Sequence, residues 1–182
     1  MSSAMVVIHA HAQLSSSENL ALLVLRVALG AMIFSHGFNK VFGGGGLSGT
    51  AGWFHSIGMK PGALHARAAA ATELGAGLLL MAGFATPFAC GALIAVMLVA
   101  IVTVHRKNGW FIFNANGGGI EYCAIIALAA GSLSALGPGK WSIDKGIISW
   151  AYTSHVGLII GVALGIGGAA LQLAAFYRPP KA

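Results

Sequence analysis

The chain has 182 residues, of which 57% are hydrophobic and 8% charged, with a mean hydropathy of +0.84. A water-soluble domain of this length cannot hide so much apolar surface, so the composition points to a chain that crosses a bilayer. The net charge of +6 comes from ten Lys and Arg against four Asp and Glu. These basic residues stand singly or in pairs, which excludes the clustered stripe of a nucleic-acid-binding surface.

Residues 1–19 read as a short polar or mixed tail without Lys or Arg. The first apolar run, about 20–39, lacks a following small-residue cleavage site, so it is expected to stay in the chain as a membrane span. Four more runs can cross a hydrocarbon core of about 30 Å; they lie near 64–83, 87–105, 119–137 and 149–176. Between them stand helix breakers: Gly43 to Gly46, Met59-Lys60-Pro61-Gly62, Thr86-Pro87, Asn116 to Gly119 and Gly137-Pro138-Gly139. An all-α integral membrane bundle of five spans is predicted. Trp53, Trp110, Trp141 and Trp150 fall near the proposed span ends, as in an aromatic belt. With the amino terminus outside, Lys40, Lys60, Arg67, Arg106, Lys107, Arg178 and Lys181 lie inside, while Lys140 and Lys145 lie outside with Asp144. The excess of Lys and Arg therefore predicts amino terminus out and carboxyl terminus in.

Ionisable residues at membrane depth are costly and usually face a partner or a polar cavity. On the first span, a turn of about 100° per residue gathers Arg26, Gly30, Ile33, His36, Gly37 and Lys40 into an arc of roughly 120°. Glu73 lies about 15 Å deep in the second span, and antiparallel packing would put Arg26 within about 6 Å of it along the axis. A buried Arg26–Glu73 pair is therefore expected, either as a register lock or with Glu73 as a proton acceptor or ligand contact.

His36, Lys40, His105, Glu121 and Tyr122 share one depth at the opposite end of the spans. A His near a carboxylate can carry protons, and a Lys with a Tyr hydroxyl can bind a carbonyl or oxyanion, so the set is a candidate ligand or proton site. Helix caps and interfacial side chains are the plainer alternative. His55, His65 and His155 read as loop or interface residues, and no His pair has the spacing of a metal site. Cys90 and Cys123 are expected near opposite faces as free buried thiols. On the fifth span, Gly157, Gly161, Gly165 and Ala169 form a small-residue stripe that suits docking of a partner, dimerisation or packing within the chain.

The stretch from Arg26 to Lys40, Arg-Val-Ala-Leu-Gly-Ala-Met-Ile-Phe-Ser-His-Gly-Phe-Asn-Lys, resembles the first-helix signature of the DoxX family. Trp53-Phe54 with Gly58, the Glu73 helix, Asn108-Gly109-Trp110-Phe111 leading to Gly118-Gly119-Ile120-Glu121-Tyr122, and the loop from Gly137 to Asp144 agree with it. The resemblance implies a four-helix core over residues 20–145 in a small protein of the bacterial plasma membrane, related to a subunit of thiosulfate:quinone oxidoreductase. Some members accompany superoxide dismutase and a sulfurtransferase, which implies a membrane component of a redox or oxidative-stress-defence complex. A quinone or another small lipid-soluble molecule is the candidate ligand. Direct thiol-disulfide catalysis is not expected, because no neighbouring thiol pair exists. The fifth helix, within residues 146–182, departs from the pattern and favours a partner, either another membrane protein or a second copy. The competing expectation is a non-enzymatic scaffold, assembly factor or accessory subunit.

Overall fold

The computed structural model describes residues 14–114, 117–148 and 155–180, which form six α-helices. These are α1 (Ser16–Phe42), α2 (Gly46–Ser56), α3 (Gly62–Ala82), α4 (Thr86–Ala100), α5 (Glu121–Leu136) and α6 (Val156–Phe176). Helix α4 runs on through a π-helical turn, Ile101–His105, and a 3₁₀ turn, Arg106–Asn108. Three stretches are long and apolar enough to cross a membrane: Ser16–Phe42, Thr86–Asn108 and Val156–Phe176. The chain is thus an all-α, multi-pass membrane bundle. Helix α3 has the length, at 21 residues, but Arg67 and Glu73 interrupt its apolar run, and α5 is shorter, at 16.

Local chemistry explains the helix ends. Helix α1 starts within the expected tail because Ser15 and Glu18 form a capping box: Ser15 Oγ accepts from Glu18 N at 3.2 Å, and the Glu18 carboxylate accepts from Ser15 N at 2.6 Å. Helix α3 closes in a Schellman turn, with Gly83 at φ 63°, Gly83 N donating to Leu80 O and Phe84 N to Leu79 O. Asp144, fully buried, accepts from Ala85 N at 2.7 Å and Thr86 N at 2.8 Å, so a carboxylate sits at the positive end of α4. The segment between the first two expected spans, to which the sequence pattern assigns no element, is helical as α2 and buries Phe54.

Helix α1 packs most extensively on α3, and α4 on α6, giving two close pairs. Small residues permit both contacts: Gly30 and Gly37 meet Gly77 and Leu74, while Gly91 meets Gly161 and Leu164. Gly157, Gly161, Gly165 and Ala169 are the buried residues of α6. Of the uses open to this stripe, docking of a partner, dimerisation or packing within the chain, it serves the last: Gly165 lies against Ile94 of α4, and Gly157 O accepts from Ser134 Oγ of α5 at 2.6 Å. A helix that presents only small atoms along one face lets its neighbour's backbone approach, and here α4 is that neighbour.

One end of the bundle gathers the close of α1, α2, the start of α3, the turns after α4, the start of α5 and the close of α6. Lys60 N donates to Phe176 O at 3.2 Å and Arg178 N to Gly58 O at 2.8 Å, tying α6 to the α2–α3 link. We call this the Lys40 end and the opposite one the Arg26 end. Trp53 and Trp110 are exposed at the Lys40 end and Trp141 at the Arg26 end. Trp150, the start of the predicted fifth span and Lys181 lie outside the described residues. Cys90 and Cys123 are buried free thiols.

Candidate functional site

The register of α1 on α3 decides which charges meet. A Cβ added to Gly30 or Gly77 would lie 2.7 Å from the other's carbonyl oxygen, so these two glycines are in backbone contact. Arg26, one turn before Gly30, then stands beside the last turn of α3, roughly 12 Å along the axis from Glu73 at 1.5 Å per residue. The expected Arg26–Glu73 pair does not form. Instead the buried Arg26 guanidinium donates to Leu80 O at 3.2 Å, Met81 O at 2.6 Å and Trp141 O at 2.5 Å. It satisfies carbonyls at the negative end of α3 and fastens the segment after α5 to them. Arg26→Lys keeps the charge but loses the planar fork. We expect it to destabilise the bundle by about 1.5–3 kcal/mol, read as a lower midpoint in SDS titration of the lipid-embedded protein.

Glu73 is paired with Lys40, whose Nζ lies 2.8 Å from Oε1 and 2.6 Å from Oε2. This pair stands in the wall of a cavity of about 540 Å³ between the two helix pairs, towards the Lys40 end. All six helices contribute to the lining, and Ala69, Ala92, Ala95 and Ala100 make room by their small size. Of the candidate set, the cavity brings together His36, Lys40, His105 and Tyr122, joined by Glu73. Glu121 is not among them. As the first residue of α5 its carboxylate turns back to accept from Ile112 N at 3.1 Å, and its own N–H donates to Trp110 O, so it closes the loop before the helix.

The polar side chains at the cavity are held mainly by partners on other elements. Helix α4 ends in a π turn, a feature often found beside functional sites, and Thr103 Oγ1 of that turn donates to Val99 O in the last turn of α4 at 2.8 Å. His105 Nδ1 lies 3.0 Å from Gly118 O, and Tyr122 donates its hydroxyl to Met32 Sδ at 2.9 Å. Thr72, Thr103 and Gln172 also face the cavity and were not singled out from sequence. Gln172 carried a usable signal, since it is the one polar amide in an otherwise apolar helix. Its Nε2 lies 3.1 Å from Nδ1 of His65. His65, expected at a loop or interface, is instead buried in the first turn of α3 with its ring edge-on to Phe176. Among the described residues no group of three His, Cys, Asp or Glu could hold a metal.

A model of the DoxX family matches residues 21–106, a stretch that holds helices α2 and α3, all but the first turn of α1, and α4 with its π turn. Neither a curated protein nor a solved structure matches the chain.

Proposed function

This chain is a multi-pass membrane protein with a DoxX domain over residues 21–106, and from that premise we propose a function in a membrane redox or oxidative-stress-defence complex. In this reading the cavity holds a quinone or another small lipid-soluble molecule. The observation that carries it is the convergence of Lys40, Glu73, His36, His105 and Tyr122 on one apolar-walled cavity of about 540 Å³. That size and that mixture of lining are those of small-molecule sites. Cap residues such as Asp144 bind backbone at helix ends, whereas these side chains border open space. Lys40, His105 and Tyr122 would hold the polar head and the alanine wall the apolar body.

The test is mass spectrometry, intact and after lipid extraction, of protein purified gently from its native membrane. A stoichiometric small molecule is expected. Ala68 borders the cavity from an exposed position, so Ala68→Phe should fill it and leave the fold intact. That variant is expected to reduce ligand occupancy by about tenfold or more, since the added ring takes volume the ligand needs. Recovery of no small molecule from the wild-type protein would remove the reading's support.

A second reading, an accessory subunit that docks another membrane protein or a second copy, is favoured by the shallow apolar groove on the outer side of α6. Leu158, Ile159, Val162 and Ile166 line it. Under either reading we place the Lys40 end, which presents Lys60, Arg67, Arg106, Lys107 and Arg178 as exposed cations, at the cytoplasmic side of the bacterial plasma membrane.

A further inference from the structure

The polar end of the cavity offers one free donor and one free acceptor. Lys40 gives two of its three ammonium protons to Glu73, and the third has no acceptor among the described residues. The Gly118 carbonyl can only accept, so a singly protonated His105 ring carries its proton on Nδ1 and leaves a lone pair on Nε2. No described group donates to that Nε2, it is not sealed from solvent, and the ring borders the cavity. Tyr122 donates to a thioether, a weak acceptor that yields readily to a better one.

These atoms restrict what can bind. The Lys40–Glu73 pair is neutral as a unit, and a ligand that arrives through hydrocarbon is itself neutral, because a charge there is costly. A carbonyl-only ligand satisfies Lys40 but leaves His105 Nε2 desolvated and unpaired. A hydroxyl satisfies both, accepting at its oxygen and donating its hydrogen.

We infer that the cavity, on the reading above that it takes a small lipid-soluble molecule, selects a neutral ring bearing a hydroxyl group, such as a phenol or a reduced quinol. The hydroxyl accepts from Lys40 Nζ and donates to His105 Nε2. Oxidised rings and methyl ethers of the same shape lack the donor and bind less well.

The probes are 4-hexylphenol and 4-hexylanisole, which differ by replacement of the hydroxyl hydrogen with a methyl group. Equilibrium binding is measured on the full chain in nanodiscs, with protein-free discs subtracting partition into lipid. The wild-type protein is expected to bind the phenol about tenfold or more tightly than the anisole, the discrimination of one hydrogen bond made by the wanted ligand and denied to its analogue. His105→Phe is expected to bring that ratio near one by weakening the phenol alone. Equal wild-type affinities overturn this inference and leave the cavity as a lipid-soluble-ligand site. A ratio that survives His105→Phe overturns the role of His105. Failure of both probes to bind, with no difference between wild-type and Ala68→Phe protein, overturns the ligand-site reading as well.

Discussion

Replacing Lys40 by methionine is expected to lower the stability of the folded bundle by about 3–5 kcal/mol, the range for removing one partner of a buried ion pair. The loss is large because the two partners are unequally placed. The Lys40 side chain is 19% exposed, whereas that of Glu73 is 4% exposed. Removing the lysine strands an almost wholly buried carboxylate without its counter-charge. Glu73→Gln is gentler: the amide oxygen still accepts one Lys40 proton, and the ammonium retains some contact with solvent. The double variant Lys40→Met, Glu73→Leu should recover much of the loss, since no charge remains to be desolvated. Unfolding in SDS titration, followed by tryptophan fluorescence, checks the order Lys40→Met, then Glu73→Gln, then the double variant. Additive losses in the double variant would mean that the two residues do not act as a pair.

Introducing leucine at Gly161 and Gly165 together should abolish accumulation of folded protein rather than detach a partner. A Cβ alone at Gly161 would lie 2.4 Å from Ser134 Oγ, and one at Gly165 would lie 2.4 Å from Ile94 Cγ2. Neither approach is tolerable, and the remaining leucine atoms force α6 off α4 and away from the closing wall of the cavity. Overpacking of this kind costs about 1–3 kcal/mol per site, more where backbone must separate. Gly167→Leu is the control, because nothing lies within 4 Å of a Cβ there. Size-exclusion chromatography of the detergent-solubilised protein should show aggregation for the double variant and a normal profile for Gly167→Leu. Normal folding of the double variant would return the stripe to the role of a docking surface.

What the sequence makes legible is depth, and what it hides is register and side-chain direction. Distance from the end of an apolar run places His36, Lys40, His105 and Tyr122 at one level, and they border one cavity. The same count misassigns Arg26 and Glu73, because the stagger of α1 on α3 is set by the backbone contact of Gly30 with Gly77 and not by the ends of the runs. Glu121 has the right depth but the wrong direction, since a carboxylate at the first residue of a helix turns to the free N–H groups before it. Helix α2 is concealed by composition. Glycines at 43–46 read as punctuation, with two more at 49 and 52, and a helix of 11 residues forms there because Phe54 packs into the buried cluster with Met59 and Ala66. The stripe on α6 is legible as a contact surface; its partner is not, because small residues look the same whether the approaching helix is in the same chain or another.

The division of the molecule into two helix pairs has a consequence for how the protein is made. Helices α1 and α3 enter the membrane early, and Lys40 can join Glu73 as soon as both are in place. The chamber beside them stays open on one side until Tyr122, Cys123 and Ile126 of α5 and then Gly168 and Gln172 of α6 arrive, all beyond residue 106 where the DoxX match ends. Helix α6 is tied back to the link before α3 through Gly58 and Lys60. Ribosomes that stall, or messages that end, before α6 would therefore release a chain with its most expensive charges already buried and its binding site unbuilt. Such a chain leaves uncovered the face of α4, around Gly91 and Ile94, against which α6 packs.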